Sequence, residues 1–161
     1  KDWIEQYDSS DITKHPVPEA SKRLAATAKV IVSSNLPRAL TSVQALGLKP
    51  ALVDGLFREA PLPYGHWRLP RLSPFVWAFI LRILWLWGYS HGVESVGTAK
   101  RRASTAAQRL QSLASEGPVL LLGHGFMNRM IARQLKADGW TRQTGNGSQY
   151  WGAIVYQNDS I

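Results

Sequence analysis

A histidine between two glycines, Gly123-His124-Gly125, interrupts VLLLGHGFMNRMIARQL (119–135) where an apolar run stops and helical spacing begins. A second polar cluster, Ser33-Ser34-Asn35 followed by Arg38, stands at the end of another apolar run, KVIVSS (29–34). Where a strand feeds directly into a helix, free backbone N–H groups and the positive end of the helix dipole favour an anion such as phosphate. Arg38 adds a planar charged fork that matches phosphoryl oxygens. The glycines beside His124 allow backbone and ligand to approach closely. Taken singly, each residue has a plainer reading: a histidine after a strand is usually only a hydrogen-bonded polar group, and an arginine on a helix usually faces water.

The elements that would position these residues alternate. Pro16 to Ala28 reads as a short helix with an early proline, and 29–34 as a buried strand. In NLPRALTSVQALGL (35–48), Asn35 is the expected cap, Pro37 fits the first turn and Gly47 ends the helix. Residues 51–53 form a short strand, and HGVESVGTAKRRASTAAQRLQSLASEG (91–117) a long helix. On that helix Lys100, Arg101, Arg102 and Arg109 are expected to face solvent. A strand over 118–123 follows, then a helix with Met127, Met130, Ile131 and Leu135 on its core face, and a last strand over 150–157. Alternating strands and helices predict an α/β fold: a three-layer α/β/α arrangement with a mostly parallel central sheet, in one domain over 1–161. In such sheets ligands bind beyond the carboxyl ends of the strands, where both polar clusters stand.

Composition narrows the classes. A chain of 161 residues with 45% hydrophobic residues, seven Trp and no Cys is a folded domain without thiol chemistry or disulfides. The net charge of +8 suggests an anionic partner. Nucleic acid is not expected, because charge alone supports it and no recognition motif does. Within an insertion over about 61–91, the stretch from Phe75 to Trp87 is apolar except for Arg82, and as a helix it is apolar almost all round. It is shorter than the about 20 residues of an ordinary membrane span. It reads as a helix packed on the core, with a homodimer contact or an in-plane membrane contact as the rival uses. Arg68, Arg71 and Arg82 suit anionic headgroups or a phosphorylated substrate, and the Pro-rich 60–72 suits the border of a lid. No signal peptide is visible; the expected location is cytoplasmic, with membrane association through 75–87 as the variant.

Three segments, SSNLPRALTS (33–42), LFREA (56–60) and VLLLGHGFMNRMIA (119–132), resemble three of the four signature regions of the histidine phosphatase superfamily, the phosphoglycerate-mutase-like fold, in order and spacing. The resemblance implies hydrolysis of a small phosphomonoester through a phosphohistidine, with no metal or organic cofactor. It implies that Arg38 clamps the phosphoryl group and that His124 donates a hydrogen bond to it. Glu59 matches the acid that protonates the leaving oxygen and then activates water. The family's nucleophile lies in an Arg-His-Gly motif on the first strand, and this sequence contains no such tripeptide. His15, His66 and His91 stand in the wrong context. The chain opens Lys1-Asp2-Trp3, so the first signature is expected upstream of Lys1 and the chain as given is expected to be inactive. The sheet should then show an empty slot, a substitute strand or a rearrangement. The alternative is a noncatalytic phosphate-binding or docking domain; a mutase is the weaker enzyme reading.

Overall fold

The computed structural model of the chain describes residues 16–63, 73–145, 147 and 151–158. Helix α1 (Glu19–Ala26) leads into β1 (Val30–Ser34), whose last four residues are all buried. β1 is central: it pairs in parallel with β2 (Leu52–Asp54) on one side and β3 (Val119–Leu122) on the other, Val32 standing opposite both Leu52 and Leu121. A strand covered on both faces reads as a continuous apolar run, which explains KVIV. The far edge of β3 has no strand neighbour among the described residues.

Helix α2 (Pro37–Ala45) joins β1 to β2. Its start differs from the expectation: Leu36, not Asn35, is the N-cap, and the Ser34 hydroxyl accepts the Leu36 N–H at 3.2 Å. Its end matches. Gly47, at φ +68°, donates to Gln44 O at 2.8 Å, and Leu48 donates to Val43 O at 3.1 Å, closing the helix with a left-handed glycine.

From β2 the chain passes through a 3-10 turn (Gly55–Phe57), α3 (Pro74–Leu86) and α4 (Val96–Ala114) before reaching β3 on the opposite side of β1. Right-handed crossovers that run in opposite directions put their helices on opposite faces of the sheet. The expected mixed α/β architecture with a parallel sheet is therefore present. α4 is shorter than its sequence span suggests. Gly88 and Gly92 hold φ of +105° and +72°, which breaks the helical path, and Ser95 caps the true start by accepting the Thr98 N–H at 3.1 Å. Ala99, Ala103, Ala106 and Ala107 form the buried stripe of α4. Against it lies α5 (Gly125–Ala137), whose Met127, Met130, Ile131 and Leu135 are buried as their spacing predicts.

The C-terminal region departs from the expected parallel sheet. β4 (Thr141–Gly145) and β5 (Ile154–Gln157) form a separate antiparallel pair, and of the described residues in the strand expected over 150–157 only the last four are strand. All five residues of β4 are exposed, so this ribbon is held by its ladder rather than by two-sided burial.

α3 confirms a helix in the apolar insertion but not one buried all round. Trp85 is fully buried, with its indole N–H donating to Glu94 O at 2.8 Å, whereas Phe75 and Trp87 are 81% and 86% exposed. Among the described residues no helix is long and apolar enough to cross a membrane. The lid border expected over 60–72 falls mostly outside the described residues, as do Arg68, Arg71, His15 and His66.

Candidate functional site

The chain leaves β1 for β2 in one direction and comes back to β3 in the other, so the carboxyl ends of β1 and β3 lie side by side where the winding reverses. Open α/β sheets place their ligand crevice there. Arg38, in the first turn of α2, and His124, the N-cap of α5, meet at this point: Arg38 Nε donates to His124 Nδ1 at 2.9 Å. A guanidinium accepts nothing, so Nδ1 carries a lone pair and the proton sits on Nε2. Nε2 therefore donates to the Ser34 hydroxyl oxygen, 2.9 Å away.

His124 is only 5% exposed, and burial, then the Arg38 and Arg58 guanidiniums, lower its pKa from 6.5 to about 4. The imidazole is neutral in the fold and basic in the unfolded chain. Between those two values the unfolded chain binds more protons, so stability rises with pH there. We expect the urea midpoint to be highest above pH 6.5 and to fall as pH is lowered toward about 4, and His124→Asn to flatten that dependence. An equal slope in wild type and variant would remove His124 as its source.

The glycines have unequal roles. A Cβ on Gly123 would displace the Asn128 side-chain amide, whereas a Cβ on Gly125 would meet open space.

Glu59 follows the 3-10 turn, which Asp54 caps by accepting the Leu56 N–H at 2.8 Å and fully buried Phe57 anchors. Its Oε1 accepts from Met127 N at 2.9 Å and Ala60 N at 3.0 Å, and its Oε2 from Phe126 N at 3.2 Å. The N-terminus of α5, read from sequence as a place for phosphate, thus already holds an anion, the Glu59 carboxylate.

A cleft of about 710 Å³ opens beside these groups, and Arg38, Arg58, Arg82, Arg102, Glu59 and Glu94 supply its charged lining. His124 is not among the lining residues; it lies behind Arg38. Arg82 lies over the Phe126 ring, 4.2 Å from its centroid, and 5.1 Å from that of Trp85, while Nη2 donates to Ala60 O at 2.8 Å. Burial lowers its pKa from the ordinary arginine value, opposed by the Glu59 carboxylate.

Arg102 corrects the reading of 100–102 as a solvated face. Lys100 and Arg101 are exposed, but Arg102 Nη1 donates to Leu56 O at 2.9 Å and Arg58 O at 2.8 Å, and its Nε and Nη2 both bond the Glu94 carboxylate. Sequence reasoning missed Arg58, Glu94 and Arg102 as site residues. For Arg102 a signal existed: it lies three residues after Ala99 and four before Ala106, on the face of the buried stripe. His91 is exposed and stacks on Tyr89, centroids 6.3 Å apart. Among the described residues no group of three or more His, Asp or Glu could hold a metal ion.

Fold and site together define an α/β protein with a cationic cleft at the winding reversal of a parallel sheet. The model of the histidine phosphatase superfamily (branch 1) matches residues 17–151, and the chain belongs to that superfamily. Among solved structures, the product of the Mycobacterium tuberculosis open reading frame Rv3214 superposes with a TM-score of 0.53 at 19% identity, covering 84% of this chain and 76% of that one. A protein described as mycobacterial hydrolase 1 gives 0.50 at 19% identity, covering 87% and 80%. At this identity the likeness concerns the fold. No curated protein matches the chain.

Proposed function

We propose that the protein binds a small phosphomonoester and, in its complete form, hydrolyses it. Arg38 carries this reading: it lines the cleft while its Nε is tethered to His124, with three further arginines around the same opening. Four guanidiniums against the carboxylates of Glu59 and Glu94 leave a positive field suited to a phosphate dianion.

In the proposed reaction Glu59 first takes up a proton from solvent in the cleft; a histidine nitrogen then bonds to phosphorus as the ester P–O bond breaks, and Glu59 passes that proton to the leaving oxygen. Water then attacks the phosphohistidine, its proton passes to Glu59, and phosphate leaves. Arg38 stabilises charge on the phosphoryl oxygens directly, and the Nε2–H of His124 joins it only when the ring turns out from behind Arg38 and exchanges its bond to Ser34 for one to the substrate. Oε2 of Glu59, with one backbone bond against two on Oε1, is the oxygen assigned to proton transfer. The nucleophile is assigned to an Arg-His-Gly strand outside these 161 residues, none of whose four histidines has that context. We assign such a strand to the far edge of β3, which leads into His124 and has no strand neighbour among the described residues, since a sheet edge supplies backbone partners.

Two measurements on the 161-residue chain test this reading. Calorimetry should detect inorganic phosphate binding, and incubation with p-nitrophenyl phosphate should leave no phosphohistidine. Lack of phosphate binding would sink the whole reading, and a phosphohistidine on this chain would sink the assignment of the nucleophile. The exposure of Phe75 and Trp87 favours a second reading, a noncatalytic phosphate-binding domain that docks through α3 to a second copy or a membrane surface. Phosphate binding without turnover in a longer form that carries Arg-His-Gly would favour it.

A further inference from the structure

The cleft has two chemically distinct ends. One carries the arginines. The other is the α3 face made by Phe75, Ala78 and Phe79, spaced three and four residues apart and leading to Arg82 one turn further on. Phe75 and Phe79 are 81% and 68% exposed although they line a concavity, so the apolar wall is open to an occupant. Leu36, Pro61 and Leu62 continue it.

The polar lining is as informative. Among the described residues lining the cleft, no side chain is a hydroxyl, an amide or an imidazole. The charged groups are partly engaged inside the protein: Arg102 with Glu94, Glu59 with the first turn of α5, Arg82 with Ala60 O. A polyhydroxylated organic group needs hydrogen-bonding partners along its own length, because a hydroxyl taken from water without one is costly, and the side chains of Phe75, Ala78 and Phe79 offer none. A hydrocarbon needs only the wall that is present.

We infer that the phosphomonoester taken at this site is the ester of an apolar alcohol, with its phosphoryl group at Arg38 and Arg58 and its hydrocarbon along Phe75, Ala78 and Phe79. This inference rests on the phosphomonoester reading and adds the substrate class. The same chemistry occurs in a soluble alkyl or aryl phosphate and in a phosphate-headed lipid.

Calorimetric titration of the 161-residue chain with inorganic phosphate, glycerol 3-phosphate and hexyl phosphate, the last kept below its micellar concentration, tests it. Hexyl phosphate should bind at least about tenfold tighter than glycerol 3-phosphate, a factor that two buried methylenes already supply. Phe79→Ser should erase most of that ratio, whereas Trp87→Ser, at a residue also apolar and exposed but outside the cleft, should keep it. Glycerol 3-phosphate binding as tightly as hexyl phosphate, with inorganic phosphate still bound, would overturn the inference and leave the phosphomonoester reading standing. Failure of all three ligands would remove that reading and the inference with it. Flotation with vesicles of phosphatidylcholine, with and without phosphatidic acid, then separates the sources. Retention specific to phosphatidic acid places the ester in a membrane, and hexyl phosphate preference without retention places it in solution; either outcome agrees with the inference.

Discussion

Arg102→Ala is expected to lower stability by about 2–4 kcal/mol, somewhat under the range of about 3–5 kcal/mol for breaking a fully buried ion pair, because this pair is part-buried. Arg102 and Glu94 side chains are each 18% exposed, and the guanidinium also holds the carbonyls of Leu56 and Arg58. Deleting it strands a carboxylate and two carbonyl oxygens together in a poorly solvated place. It also loosens the 3-10 turn from α4, and that turn positions Arg58 and Glu59. Lysine should not restore the loss, because a point charge cannot bond two carbonyls and both carboxylate oxygens at once. Urea unfolding checks this, with Arg101→Ala as its control: that neighbour is exposed, and its removal should change stability by less than about 0.5 kcal/mol. Arg102→Met combined with Glu94→Gln should cost less than the sum of the two, since neither charge is then left alone. A loss no larger for Arg102 than for Arg101 would mean that the pair is a surface ornament of the helix.

That contrast shows where the sequence was readable. β1 and β3 are apolar runs ended by polar residues, and two-sided burial writes such runs plainly. The core face of α5 follows from the 3.6-residue period, as does the alanine stripe of α4. Arg38, His124 and Glu59 were found through ordered motifs, and they do converge at the ends of β1 and β3 and the start of α5. Charge patterning was the weak signal: Lys100-Arg101-Arg102 looks uniform as letters, yet one turn of helix puts only Arg102 over the 3-10 turn. The capping role of Glu59 was equally hidden, because its partners are backbone N–H groups 67 and 68 residues away. β4 was illegible for a different reason. A ribbon exposed along all five residues has no buried face to impose alternation. For α3 the composition suggested a helix packed on the core, but among its described side chains only Trp85 is fully buried, and part of the aromatic face left over forms the wall of the cleft.

Arg38→Met should weaken inorganic phosphate binding by about 10- to 100-fold, the equivalent of one charge-assisted contact of about 1.5–3 kcal/mol. The same substitution should act on His124 in a way that a loss of folding would not. Arg38 is the second cause, after burial, of the low pKa of that imidazole, and it also donates to Nδ1. Without it, burial and Arg58 remain, so the pKa should rise only part of the way from about 4 toward 6.5. As the folded value approaches the unfolded one, the pH interval over which stability changes should narrow from its acid end. Arg38→Lys separates the two functions of the residue. Lysine keeps the positive charge, so His124 should stay acidic, but it lacks the fork that grips two phosphoryl oxygens, so phosphate affinity should still fall. Titration of the His124 ring resonances by NMR, alongside calorimetry on the same samples, reads both effects. If both variants bind phosphate as wild type does while the His124 pKa moves only in Arg38→Met, Arg38 serves the imidazole alone and the anion sits with Arg58, Arg82 and Arg102. If affinity falls in both variants and the imidazole responds only to the loss of charge, Arg38 is the residue through which a buried, neutral histidine and a phosphate in the cleft sense each other.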